Sequence, residues 1–199
     1  MIEFAVAFFF LILSPGPGVL STAGVGAAFG YPPGLRYVSG LFIGTNLVAL
    51  GVITGVAAVV LASPTIRTVL LILSALYLLY LAAKVAFSGS KIAFIEATRA
   101  PGIRDAIFLQ ALNPKAYVVN TAMIAGFPLG FASYWTEIAV KLVIMNAIWI
   151  PLHILWLWFG VALRRLDLAP KTQRLINFAM AGAMVVVVLM ALWSLRGGV

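Results

Sequence analysis

The sequence predicts an all-α integral membrane protein: six transmembrane helices as two inverted three-helix repeats, with the first and fourth helices broken. Three observations carry that expectation. Of 199 residues, 64% are hydrophobic and 9% charged, whereas a soluble domain carries about 25% charged residues. The 13 Lys and Arg and 5 Asp and Glu fall between long apolar runs rather than along them. Ser14-Pro15 in the first run is matched by Asn113-Pro114 in the fourth, at an offset of 99. A soluble globular protein, a disordered chain and a nucleic-acid binder are excluded, and the net charge of +8 reads as membrane-flanking charge.

A helix needs about 20 mostly apolar residues to cross the hydrocarbon core. Six stretches qualify, near 4–27, 38–61, 67–87, 105–126, 140–162 and 174–195. Turn residues separate them: Gly30 to Gly34 with two prolines, Ser63-Pro64, Pro101-Gly102, Pro128 and Ala169-Pro170. The chain is expected to be one membrane domain over 1–199, with repeat 1 about 1–87, a cytoplasmic loop 88–104 and repeat 2 about 105–199. Within the loop, Ile92, Phe94 and Ile95 suit a short amphipathic turn at the interface. A cleaved signal peptide is not expected, because Glu3 stands where a basic segment would be.

With six spans, Arg67, Lys141 and Arg196 fall on one side and nine basic residues, Arg36 to Arg174, on the other. The richer side should be cytoplasmic, which places both termini outside a cytoplasmic (inner) membrane.

The repeat is visible in more than one pair. Asn46 of the second span is matched by Asn146 of the fifth at an offset of 100, and Arg67 by Arg174 at an offset of 107. Inverted repeats with discontinuous helices recur in secondary transporters. Ser14 and Asn113 are good N-cap residues, each followed by a proline at the first helical position. A half-helix starting there presents free N–H donors and a positive dipole end, suited to a carboxylate. A single proline reads more simply as a kink. The run Ser14, Pro15, Gly16, Pro17, Gly18 together with Asn113, Pro114, Lys115 favours a substrate site, with Asn46 and Asn146 beside it.

Lys115 is the charged residue well inside a span, about ten residues or 15 Å of helix beyond Arg104. Intramembrane cations face a cavity or partner, so it is expected to hold the substrate carboxylate, shared with the N–H groups at 16–18 and 115–116. No acidic residue lies at comparable depth, which leaves proton coupling through a buried carboxylate without a candidate. Gly40, Gly44, Gly51 and Gly55 share a helix face and read as a packing stripe, with Thr45 and Asn46 beside it. Asn113 and Asn120 share a face, as do Asn146 and His153. His153, the single histidine, reads as a structural, hydrogen-bonded group rather than a proton relay. The five tryptophans read as interfacial anchors.

An enzyme is not expected: there is no Ser/His/acid set, metal-ligand cluster or phosphate loop, and cysteine is absent. No cofactor is expected.

Ser14-Pro15-Gly16-Pro17, Gly40-Leu41-Phe42-Ile43-Gly44, Ala75 to Leu81, and above all Phe108 to Ala116 followed by Ala125-Gly126-Phe127 resemble the lysine-exporter (LysE/RhtB) family of amino-acid translocators. The resemblance covers nearly the whole chain. This chain departs from the family at Gly18, where Asn or Asp is frequent, at Thr45-Asn46, where an acidic residue is frequent, and at Ala125-Gly126, where Pro-Gln is frequent. The resemblance implies a secondary transporter exporting amino acids or similar small zwitterions. The partners it implies are that substrate and membrane lipid, not nucleic acid; a homo-oligomer is compatible with it. A passive pore or metal-ion permease on the same bundle is the alternative, and an accessory membrane subunit a third. Hard cations want charged oxygen ligands, which the spans lack.

Overall fold

A computed structural model of the protein describes residues 1–13, 16–55, 62–87, 99–165 and 170–196, and all regular structure among them is helical. Eight helices are described: α1 Ile2–Leu13, α2 Pro17–Phe29, α3 Tyr31–Ile53, α4 Pro64–Ala86, α5 Ile103–Leu112, α6 Pro114–Ile124, α7 Tyr134–Arg165 and α8 Pro170–Arg196. Ser14 and Pro15, the 88–98 part of the connecting loop with its expected amphipathic turn, and Ala169 lie outside the described residues.

Local chemistry sets most boundaries. Pro17 opens α2, Pro64 opens α4 and Pro114 opens α6, each at a position whose missing N–H costs the helix nothing. Ser63 caps α4 by accepting from the Ile66 N–H at 3.3 Å. Asp105 reaches back from α5 to accept from the Gly102 N–H at 2.7 Å. The segment from Gly30 to Gly34 is not the loop that its composition suggests. Only Gly30 turns, at φ +85°, and Pro32 and Pro33 fit the first turn of α3. The helix at the expected second span therefore starts at Tyr31 rather than near 38, and that at the expected fifth at Tyr134 rather than near 140.

Both expected interruptions coincide with helix ends. α1 and α2 meet at 55° across residues 14–16. Asn113 is extended (φ −74°, ψ 105°) between α5 and α6. By length and hydropathy, α3, α4 and α7 suffice to cross a membrane, and α1 with α2 counts as a fourth span if the bent pair is taken together. This is a multi-pass membrane architecture. Its large exposed side chains are apolar, Phe10, Leu47, Val143, Trp158 and Trp193 among them, as lipid contact requires and water does not.

α2 is the most enclosed element: ten of its thirteen residues are buried. It packs chiefly on α7, as α3 packs on α5 and α4 on α8. Small residues make the first two contacts close. A Cβ at Gly26 would sit 2.8 Å from the Leu157 carbonyl oxygen, and one at Gly44 would sit 2.7 Å from the Gln110 Cβ. At Gly160 a side chain would strike the Ala23 carbonyl, and at Gly40 the Ile103 carbonyl. The expected glycine stripe is thus used in its first half only: among the described residues Gly51 meets nothing within 4 Å, and Gly55, at φ +79°, lies beyond the end of α3.

Candidate functional site

A cavity of about 620 Å³, its open mouth included, lies where the two helix breaks meet. Its apolar wall is built by Phe8 and Ile12 of α1, Val119 of α6, and Leu142 and Met145 of α7. Its polar wall contains Asn46 of α3, Asn113 at the second break, Lys115 and Asn120 of α6, and Asn146 and His153 of α7. Gly16 and Gly18 form part of the lining at the start of α2. Among the described residues no Asp or Glu lines it, and no cluster of metal-ligating side chains exists.

Of the residues singled out from sequence, Gly16, Gly18, Asn46, Asn113, Lys115 and Asn146 line this one cavity. Pro17 and Pro114 line a second, more apolar one of about 510 Å³, which shares Gly16, Asn113 and Lys115 with the first. Lys115 therefore stands on the wall between them. Ser14 and Pro15 lie outside the described residues.

The two half-helix starts are not equivalent. At α6 the Asn113 Oδ1 accepts from the Lys115 N–H at 3.1 Å, and the Asn113 carbonyl accepts from the Ala116 N–H at 3.0 Å. The donors at 115–116 are thus already spent on their own cap, contrary to the sequence expectation. At α2 the N-cap is Gly16, which has no side chain to cap with, so among the described residues the first-turn N–H groups of Gly18 and Val19 receive no side-chain cap. The positive end of α2 is the open one. Lys115 lies against it: a Cβ at Gly16 would be 3.0 Å from the lysine Cδ and 3.2 Å from its Nζ. The absent side chain is what lets the ammonium reach the helix start.

Asn46 and Asn146, matched at an offset of 100 in the sequence, exchange hydrogen bonds. Asn46 Nδ2 donates to Asn146 Oδ1 at 3.2 Å, and Asn146 Nδ2 donates to Asn46 Oδ1 at 3.1 Å. A reciprocal amide pair uses identical residues from the two halves of the chain, which is why neither alone signals a site.

Sequence reasoning missed two neighbours, Gln110 and Trp149. Gln110, 4% exposed, accepts from Asn113 Nδ2 at 2.9 Å and lines the cavity. Trp149 is buried there rather than anchored at an interface, with its indole stacked on His153 at 3.5 Å and 13°. His153 accordingly has the hydrogen-bonded environment expected of it, but it also lines the cavity. Lys141 is not a flanking charge either: it is 2% exposed, paired with Glu137 at 2.7 Å and donating to the Ile124 carbonyl at 2.8 Å.

A family model for LysE type translocators matches residues 9–195. The chain belongs to the LysE type translocator family. Its relatives include leucine efflux proteins. That of Enterobacter sp. (strain 638) is 29% identical over 129 residues, 62% of this chain and 61% of the relative. That of Klebsiella pneumoniae is 28% identical over 132 residues, 63% of this chain and 62% of the relative. The Salmonella typhimurium protein is 30% identical over 129 residues, again 62% and 61%. The chain spans about 61% of the length of these relatives. No solved structure matches it.

Proposed function

We propose that this LysE-type chain exports a neutral amino acid with an apolar side chain, as a secondary transporter in the cytoplasmic membrane. The observation that carries the reading is the Lys115 ammonium set against the uncapped start of α2, inside a cavity lined by no carboxylate among the described residues. A cation and a helix N-terminus converge on one point, which suits the carboxylate of a zwitterion. The side chain of the substrate lies along Phe8, Ile12, Ala49 and Met145. The leucine efflux relatives support an apolar side chain.

The architecture that goes with this reading is six spans in two inverted repeats, 1–87 and 105–199, both termini outside. The reciprocal Asn46–Asn146 pair and the two helix breaks support it. A cation permease is disfavoured by the same lining: a lysine and amide groups do not replace the charged oxygens a hard cation requires.

Cells loaded with radiolabelled leucine, isoleucine, valine, threonine and lysine, with and without the protein, test the proposal. Faster efflux of the branched neutral amino acids is expected, with lysine unaffected. Equal efflux of every substrate with and without the protein overturns it.

A further inference from the structure

The cavity has a second polar pole, opposite in character to Lys115. His153 is 3% exposed and its ring is held on both sides of the question: stacked on Trp149, and with Nδ1 3.0 Å from the Trp149 carbonyl oxygen. A carbonyl only accepts, so Nδ1 carries the hydrogen, and in the neutral ring Nε2 keeps a lone pair. Among the described residues nothing donates to Nε2. It points past Gly18, where a Cβ would lie 3.5 Å from Nε2 and 3.9 Å from the Gln110 Oε1. Gln110 Oε1 is fixed by its bond from Asn113 Nδ2, at 2.9 Å, which leaves its second lone pair. Two acceptors, both on buried side chains, therefore flank one backbone position that has no side chain to cover them. Nε2 thus has no donor among the described residues and Oε1 has a lone pair to spare, and the cavity is what both face.

Resting on the amino-acid reading above, we propose that His153 Nε2 and Gln110 Oε1 receive the α-ammonium group of the substrate. Gly16 sets Lys115 and Gly18 sets the acceptor pair two residues apart along the start of α2. A zwitterion bridges them: its carboxylate on Lys115 and the α2 N–H groups, its ammonium on His153 and Gln110. With no carboxylate lining the cavity among the described residues, these two uncharged acceptors do the work an acidic residue would otherwise do.

The test is counterflow of radiolabelled L-leucine into proteoliposomes. Competitors are 4-methylpentanoate, which lacks the ammonium, and isoamylamine, which lacks the carboxylate. The wild type should prefer leucine to 4-methylpentanoate by at least about thirtyfold, the size of a charged hydrogen bond. His153→Phe keeps a ring to stack on Trp149 but removes the acceptor, and Gln110→Leu removes the other. Each should cut that preference severalfold by weakening leucine alone, leaving 4-methylpentanoate inhibition unchanged. His153→Gln returns an acceptor and should recover part of the preference. Lys115→Met should instead erode the preference over isoamylamine. If His153→Phe and Gln110→Leu keep the full preference, or lose leucine and 4-methylpentanoate equally, the ammonium assignment is wrong while the amino-acid reading stands. If the wild type shows no leucine counterflow, both fall.

Discussion

A lysine inside a membrane span costs a few kcal/mol on insertion scales, so Lys115 persists because something uses it. Its neighbour is the most informative: Gly16 has extended backbone (φ −158°) that any residue adopts, so the glycine is there for space and not for conformation. Lys115→Met keeps length and apolar fit. It should insert and fold as well as the wild type, yet lose leucine efflux by about thirtyfold or more, the equivalent of roughly 2 kcal/mol for one charged contact. Lys115→Arg should fail as well, since a planar fork is larger than the gap beside Gly16. Gly16→Ala should fold normally and weaken transport, because its methyl group would lie 3.2 Å from the Lys115 Nζ and push the flexible head aside. Efflux at equal membrane expression measures all three. Wild-type rates in Lys115→Met would make the charge a packing feature.

The half-helix is the element on which this protein depends, and α7 serves both half-helices. Near one end, Lys141 donates to the carbonyl of Ile124, the last residue of α6. At its other end, Arg164 donates to the Ala28 carbonyl near the end of α2 at 3.0 Å. Each cation sits at the negative end of a short helix, where the dipole and the unpaired carbonyls favour it. Short helices gain more from such caps than long ones. Lys141→Met should lower the melting temperature in detergent by several degrees, since it strips both Ile124 and Glu137 of a buried partner. The double variant Glu137→Gln/Lys141→Met should recover part of that loss, and Arg164→Met, more exposed, should cost less. Equal melting of Lys141→Met and wild type would reduce the cap to a spectator. Element boundaries of this sort differ in how far sequence reveals them. The break at Asn113 is legible because cap, proline and lysine are adjacent in the chain. The burial of Lys141 is not, because its partner carbonyl is 17 residues away across a turn. Gln110 and Trp149 are equally silent: polar or aromatic singles acquire meaning only when α5 and α7 converge on the cavity.

At the scale of the molecule, packing is uneven between the two ends of the bundle. The close glycine contacts, Gly26 and Gly160 between α2 and α7, Gly40 and Gly44 between α3 and α5, all lie on the side of the breaks where Arg164 caps α2. The cavity extends from the breaks to the other side, walled there by α1, α6, the second half of α3 and the first half of α7, while Gly18, Gln110 and His153 line it from the tight side. The sequence helps to fix this bias. At an offset of 100 from Gly40 and Gly44, α7 carries Val140 and Ile144 instead of glycine, and the close approach that small residues allow has no counterpart there. The tight end is also the one richer in Lys and Arg, the end proposed to be cytoplasmic. On that orientation the cavity faces outward, in the state from which an exporter releases its substrate. The protein has no cysteine, so single cysteines report cleanly. Ala49→Cys, on the cavity wall, should react with an impermeant maleimide in intact cells and be protected by leucine. Ser90→Cys, in the 88–104 segment expected to be cytoplasmic, should react only after permeabilisation. Labelling of Ser90→Cys from outside would invert the topology. Ala49→Cys shielded in intact cells but reactive in inverted vesicles would turn the cavity toward the cytoplasm and make this conformation the loading state instead.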